Sequence, residues 1–276
     1  MKNSKSFSFE FFPPQTQEGV KKLTATCLQL AELRPEFFSV TFGAGGSTRS
    51  STLETVQKIK ADGHEVAPHL SCIGSTRDNI RTILNVYKKI GIKHIVALRG
   101  DRPVEAASGE FNYANELVSF IRAETGEHFH IDVAGYPEFH PQAKSPHDDL
   151  LNFKQKIMAG ANSAITQYFY NADGYFRFVD ECRKVGITVP IVPGIMPIVK
   201  FAQLARFSDA CGAEIPRSMR KVLEGYGDDN ESLQAFGLDV VAKLCDRLLA
   251  GGAPSLHFYT LNQATPSLEI CRRLGL

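Results

Sequence analysis

Residues 76–101 read Thr76-Arg-Asp-Asn-Ile80-Arg-Thr-Ile83-Leu84-Asn-Val86-Tyr-Lys-Lys-Ile90-Gly91-Ile-Lys-His94-Ile-Val-Ala-Leu98-Arg99-Gly-Asp101. A Ser/Thr cap signal precedes apolar residues at Ile80, Ile83, Leu84 and Val86, which share one helical face. Gly91 stops the helix, since glycine takes the left-handed conformation that ends one. His94–Leu98 is then a short, near-continuous apolar run, the pattern of a strand buried on both faces. The polar group Arg99-Gly-Asp101 follows its C-terminal end. The order helix, glycine, strand returns at Gly160-Ala-Asn-Ser and Gly186-Ile-Thr-Val.

Outward from this stretch, apolar runs predict eight strands, at residues 7–11, 37–42, 66–70, 94–98, 131–134, 164–168, 191–192 with its flank, and 256–259. Helical periodicity falls between them at 20–33, 76–90, 117–123, 148–159, 175–185, 201–211 and 233–250. An extra helix at 215–227 fills the long gap before the last strand. Eight alternations predict an α/β fold, a single-domain (β/α)8 TIM barrel over residues 1–276. The competing layout is an open doubly wound sheet. Its dinucleotide-binding form needs G-x-G-x-x-G straight after a strand, which Gly43-Ala-Gly-Gly-Ser-Thr48 does not match.

Composition excludes several function classes. Of 276 residues, 43% are hydrophobic and 22% charged, enough for a sizeable core, and the net charge of +1 offers nothing to nucleic acid or an anionic membrane. No apolar run is long enough to cross a bilayer. Met-Lys-Asn-Ser-Lys leads straight into the first strand with no signal-peptide pattern, so a cytoplasmic location is expected. The six scattered cysteines contain no C-x-x-C and read as free thiols. His128-Phe-His130 has no cysteine or carboxylate cluster at ligand spacing, so no metal centre is expected.

A barrel of this type carries its active site at the C-terminal ends of its strands. Those ends offer Glu10, Thr41, His69, Arg99-Gly-Asp101, Tyr136-Pro-Glu-Phe-His140, Gln167, Pro193-Gly-Ile-Met-Pro197 and Tyr259-Thr-Leu-Asn262. Glu10 sits in Phe9-Glu-Phe-Phe-Pro-Pro14. Among such apolar neighbours a carboxyl is poorly solvated, which raises its pKa and suits a general acid near neutral pH. From these residues alone Glu10 reads either as that acid or as a surface carboxylate on a strand edge. Arg99 and Asp101 read as site residues or a structural pair, and His69 as a site residue or a satisfied core histidine.

Together, Phe9-Glu-Phe-Phe-Pro-Pro14, Ser39-Val-Thr-Phe-Gly-Ala44, Ala67-Pro-His-Leu70, Leu98-Arg-Gly-Asp101, Tyr136-Pro-Glu-Phe-His-Pro141, Ala164-Ile-Thr-Gln167 and His257-Phe-Tyr-Thr-Leu-Asn262 resemble the methylenetetrahydrofolate reductases. The matches span nearly the whole chain. The resemblance implies a (β/α)8 barrel holding FAD. NADH or NADPH would reduce the flavin, and the reduced flavin would pass hydride to 5,10-methylenetetrahydrofolate in a ping-pong sequence that yields 5-methyltetrahydrofolate. It implies Glu10 as proton donor, and Asp101 as the anion that stabilises a cationic iminium. It places Thr41, Phe42, Ala44, His69, Arg99, Gly100, Asp101, Tyr113, Ala114, Tyr136, His140, Ala143, Asp149, Asn152 and Lys156 on the cofactor. Lys156 and His140 would neutralise its diphosphate or ribose edge.

Thr41, Asp101, Gln167, Gln203, Phe207 and Gln263 are implied at the substrate. Gln263 stands where the family usually has an arginine. The resemblance also implies a homo-oligomer, a tetramer by the bacterial pattern. With the chain ending soon after the barrel, inhibition by S-adenosylmethionine is not expected. The rival readings are another flavin barrel such as a proline dehydrogenase, a non-enzymatic flavin or folate binder, and an aldolase-type barrel. The last would want a Schiff-base lysine at a strand end, and none is offered.

Overall fold

A computed structural model describes residues 6–42, 46–100 and 109–276 of the chain. Its strands are β1 (Ser6–Phe11), β2 (Phe38–Val40), β3 (Val66–Ser71), β4 (His94–Leu98), β5 (His130–Gly135), β6 (Ser163–Thr166), β7 (Ile191–Val192), β8 (Gly194–Ile195) and β9 (Ser255–Tyr259). All pairings are parallel, in the order β7-β6-β5-β4-β3-β2-β1-β9-β8. Only Pro193 separates β7 from β8. Proline has no N–H to give the ladder, so the seventh strand is cut in two there. The Pro193 carbonyl still accepts from the His257 N–H at 3.0 Å. The two ends of the strand order thus meet, and the sheet rolls into the expected eight-fold barrel.

Around it lie α1 (Gln17–Ala31), α2 (Gly46–Ala61), α3 (Arg77–Lys89), α4 (Ala114–Thr125), α5 (Pro146–Met158), α6 (Ala172–Lys184), α7 (Phe201–Cys211), α8 (Arg217–Gly225), α9 (Asn230–Ala250) and α10 (Thr265–Leu274). Local chemistry sets their ends. The Thr76 hydroxyl accepts from the Asn79 N–H at 3.2 Å and starts α3. Gly91, at φ 80°, ends it, and the Ile92 N–H reaches back to the Tyr87 carbonyl at 2.9 Å. Gly186 ends α6 in the same way.

Two helices escape the periodicity reading. The chain of α2 is Ser/Thr-rich and only weakly amphipathic, and α10 is short and opens at Pro266. The second strand is shorter than expected: Thr41 still donates its N–H to the Phe11 carbonyl at 2.9 Å, but regular pairing stops at Val40, and Thr41 and Phe42 line a cavity. No helix among the described residues is long and apolar enough to cross a membrane.

Strand alternation sorts side chains between two environments. Phe7, Phe9, Phe11, Phe38, Val40, Leu70, Ile131 and Phe258 face outward into the main core beneath the helices. Phe9 is fully buried there, with ring centroids 5.5 Å from Phe258 and 6.2 Å from Phe38. The alternate residues face the bore. Ala67, Val96 and Ile165 form a small apolar cluster there, and hydrogen bonds link Ser8, Glu10, Ser39, His94, Asp132, Ser163 and His257 around it. Barrel bores are usually filled by layers of branched aliphatic residues. This one is mostly polar.

Candidate active site

Glu10 lies near the end of β1 and faces the bore. Its Oε2 is 3.2 Å from His69 Nε2, 3.3 Å from His257 Nε2 and 3.4 Å from the Ser39 hydroxyl. The other nitrogen of His257, Nδ1, is 2.7 Å from the Ser8 hydroxyl, and the His257 side chain is wholly buried. His69 Nε2, also buried, is not aligned for a hydrogen bond despite its approach to Glu10.

These contacts correct the expected state of Glu10. Burial by itself raises its carboxyl, but the charge of His69 and the hydrogen bond from His257 outweigh it and pull the value down to about 2. The expectation of a protonated acid treated Phe9 and Phe11 as neighbours in space because they are neighbours in sequence. The two-residue period of a strand turns both rings to the outer face and leaves Glu10 with the histidines. In the open cavity Glu10 is an anion.

The backbone at Glu10 is pinned by the last strand. The Thr260 hydroxyl and N–H both donate to the Glu10 carbonyl, at 2.6 and 3.3 Å. Asn262 accepts from the Phe12 N–H at 3.0 Å and donates to the Phe12 carbonyl at 2.9 Å, so its amide imitates one more rung of a ladder. To do this Leu261 and Asn262 adopt φ of 51° and 55°, a conformation uncommon outside glycine.

Above Glu10 opens a cavity of about 1050 Å³ at the C-terminal ends of the strands. Its far wall is basic. The Arg99 guanidinium donates to the Gln142 side chain at 2.7 Å, and Lys156 Nζ to the Ala134 carbonyl at 2.5 Å. Neither has a carboxylate within 4 Å among the described residues. Burial, opposed by Asp149 and reinforced by Arg99, lowers the Lys156 ammonium to about 8. Asp149 accepts the His140 N–H at 2.9 Å and so shapes the loop. His140 Nδ1 accepts from the Gln142 N–H at 3.0 Å, which leaves the proton of a neutral ring on Nε2. Gly100, at φ 83°, has no room for a Cβ, which would collide with the Ser71 hydroxyl.

The methylenetetrahydrofolate reductase profile matches residues 1–275. The chain belongs to the methylenetetrahydrofolate reductase family. It is 44% identical over 270 residues to the 5,10-methylenetetrahydrofolate reductase of Escherichia coli, covering 98% of this chain and 90% of the relative. It is 40% identical to the probable methylenetetrahydrofolate reductase (NADH) of rice, covering 98% of this chain and 48% of that longer protein. Among solved structures, an uncharacterized Clostridium thermocellum protein that binds two copies of 5-methyl-5,6,7,8-tetrahydrofolic acid aligns with a TM-score of 0.70 at 16% identity, over 99% of this chain and 96% of that one. A dihydropteroate synthase from Xanthomonas albilineans aligns with a TM-score of 0.54 at 11% identity, over 99% and 94% of the two chains. At such identities the structural likeness speaks for the barrel alone.

Of the methylenetetrahydrofolate reductase residues named from sequence, Glu10, Thr41, Phe42, His69, Arg99, Gly100, Tyr113, Ala114, Tyr136, His140, Ala143, Asp149, Asn152, Lys156, Gln167 and Phe207 all line the one cavity. Ala44 and Asp101 lie outside the described residues. Gln203 and Gln263 do not line it. Gln203 stands one turn before Phe207 on α7, and the Gln263 N–H closes the turn onto the Thr260 carbonyl at 2.9 Å. Three residues were missed as site residues: Ser8, Ser39 and His257. The signal for His257 was available, because it precedes Tyr259 by two residues on the same strand and so shares its inward face.

Proposed function

We propose that this chain reduces 5,10-methylenetetrahydrofolate to 5-methyltetrahydrofolate, using FAD and a nicotinamide donor, NADH rather than NADPH. The observation that carries the reading is the convergence of residues from every part of the chain on one cavity with Glu10 at its floor. The names of the bacterial relatives support the reaction, and the rice relative's name supports NADH.

The site's own chemistry fits a flavin dinucleotide. Arg99 and Lys156 are cations without a carboxylate partner within 4 Å among the described residues, on the wall that a diphosphate would occupy. When bound there, FAD supplies the hydride chemistry. Lys156 and His140 neutralise its anionic portion. Gln167 offers an amide, and Phe207 an aromatic face, to whichever substrate is present. One cavity that takes the two substrates in turn fits a ping-pong order.

Glu10 carries the proton for the N10 leaving nitrogen of the folate. Its low pKa in the open cavity rests on positive charge at the neighbouring imidazoles. A ligand that shuts out water deepens the burial that raises the carboxyl. Glu10 therefore takes up its proton as the site fills. Asp101 stabilises the cationic iminium. The free cysteines, five of them buried, support a cytoplasmic setting.

The test is an anaerobic spectrum of the FAD-loaded protein. Bleaching of the flavin band by NADH and its return on adding methylenetetrahydrofolate is the expected result. Bleaching without return rejects the folate substrate and favours another flavin barrel dehydrogenase. Absence of a flavin band after loading rejects the cofactor.

A further inference from the structure

At the opposite end of the bore from Glu10, three side chains with metal-binding donors meet. His94 opens β4 and His130 opens β5, and the two are paired in register across neighbouring strands. Asp132 follows His130 by two residues and so shares its inward face. His94 Nε2 is 2.7 Å from Asp132 Oδ2, and His130 Nε2 is 3.6 Å from Asp132 Oδ1. One donor atom from each of the three lies within 4.8 Å of the other two. The Ser163 hydroxyl donates to Asp132 Oδ1 and lies 2.6 Å from His130 Nε2.

We infer that His94, His130 and Asp132 form a binding site for one divalent transition-metal cation of the Zn²⁺ type, at the N-terminal mouth of the barrel.

Geometry, charge and access support this. Ligands of a tetrahedral zinc stand about 3.3 Å apart, given bonds of roughly 2.0–2.1 Å; the 3.6 Å between His130 and Asp132 is close to that spacing, and the 2.7 Å His94–Asp132 contact is a hydrogen bond that an ion would replace. Two imidazoles and a carboxylate suit Zn²⁺, Co²⁺, Ni²⁺ and Cu²⁺ rather than Mg²⁺ or Ca²⁺. The Asp132 side chain is 4% exposed, and among the described residues its ion-pair partners are these two histidines, with no lysine or arginine. A buried carboxylate calls for a cation. His130 is 48% exposed, so an ion reaches the site from solvent without opening the barrel. Ser163 is placed to orient the carboxylate, as partners behind a metal ligand commonly do.

Sequence spacing hid the site, because its histidines are brought together by strand pairing and not by proximity along the chain. The site is also separate from the catalytic end. His94 precedes Leu98 by four residues, about 13 Å along an extended strand.

The test uses tag-free, FAD-loaded protein freed of metal by a chelator. Calorimetric titration with Zn²⁺ is expected to show one equivalent bound, and Co²⁺ to give the intense visible bands of tetrahedral coordination. His130→Ala, a change at an accessible side chain, is expected to weaken Zn²⁺ binding at least tenfold while leaving NADH oxidation unchanged. His94→Gln, with folding checked by circular dichroism, is expected to do the same. No stoichiometric binding, or a loss below tenfold in both variants, overturns the inference.

Discussion

Glu10 shows how little a residue's sequence neighbours determine its chemistry. Its aromatic neighbours lie behind the sheet, and its state is set by His69 and His257, which are 59 and 247 positions away. Glu10→Gln keeps the shape but has no proton to give. Reduction of the flavin by NADH is expected to stay within about twofold of normal, whereas folate reduction falls by ~10²–10⁴, the usual range for loss of a general acid. Stopped-flow measurement of each half-reaction separates the two, and equal losses in both contradict the assigned role.

Asn262 acts at one remove. Asn262→Ala deletes both bonds to Phe12 and lets the Glu10 segment drift. The folate half-reaction is expected to slow by up to about 10²-fold with little change in KM, because misplacement costs rate more than binding. Flavin reduction by NADH is the internal control.

At the scale of elements, α5 brings Lys156 to the cavity wall, where its ammonium is lowered to about 8. An anionic ligand beside it raises that value, so binding takes up a proton at higher pH. FAD affinity is therefore expected to fall as pH rises above about 8, and Lys156→Met should flatten the dependence. Fluorescence titration of the protein freed of FAD across pH 7–10 measures both. A slope that persists in the variant assigns the effect elsewhere.

The elements also show what the sequence disclosed. Strands such as β4 and helices such as α3 were legible because apolar period, cap and glycine agree locally. Helix α2 was not, since its stability comes from contacts with β2 and β3 that no local pattern announces. Cavity residues such as Glu10, Thr41, His69, Arg99, Tyr136 and Gln167 were legible because each ends a strand or follows one, whereas Tyr113, Asp149, Asn152, Lys156 and Phe207 came only from the family resemblance. The Glu10 environment and the His94–His130–Asp132 cluster were not, because both depend on which strand lies beside which.

For the whole molecule, Glu10 links the site to acid stability. Its folded value of about 2 lies below the ordinary 4.5. The stabilisation is therefore complete above pH 4.5 and is lost as pH falls through 2. At about 1.4 kcal/mol per unit, the loss amounts to roughly 3 kcal/mol. Denaturant titrations at pH 6 and pH 3 are expected to show a smaller stability difference in Glu10→Gln than in the unaltered chain.

Strand β1 pairs with β9, so the carboxylate sits on the first strand and its histidine, its threonine and its asparagine clamp come from the last. A chain emerging from the ribosome can build most of the basic cavity wall while Glu10 still lacks half its setting. Contacts between such distant segments form late in folding. A chain clipped ahead of residue 257 therefore lacks the histidine, the threonine and the asparagine that set the state and position of Glu10, whatever else of the cavity it retains.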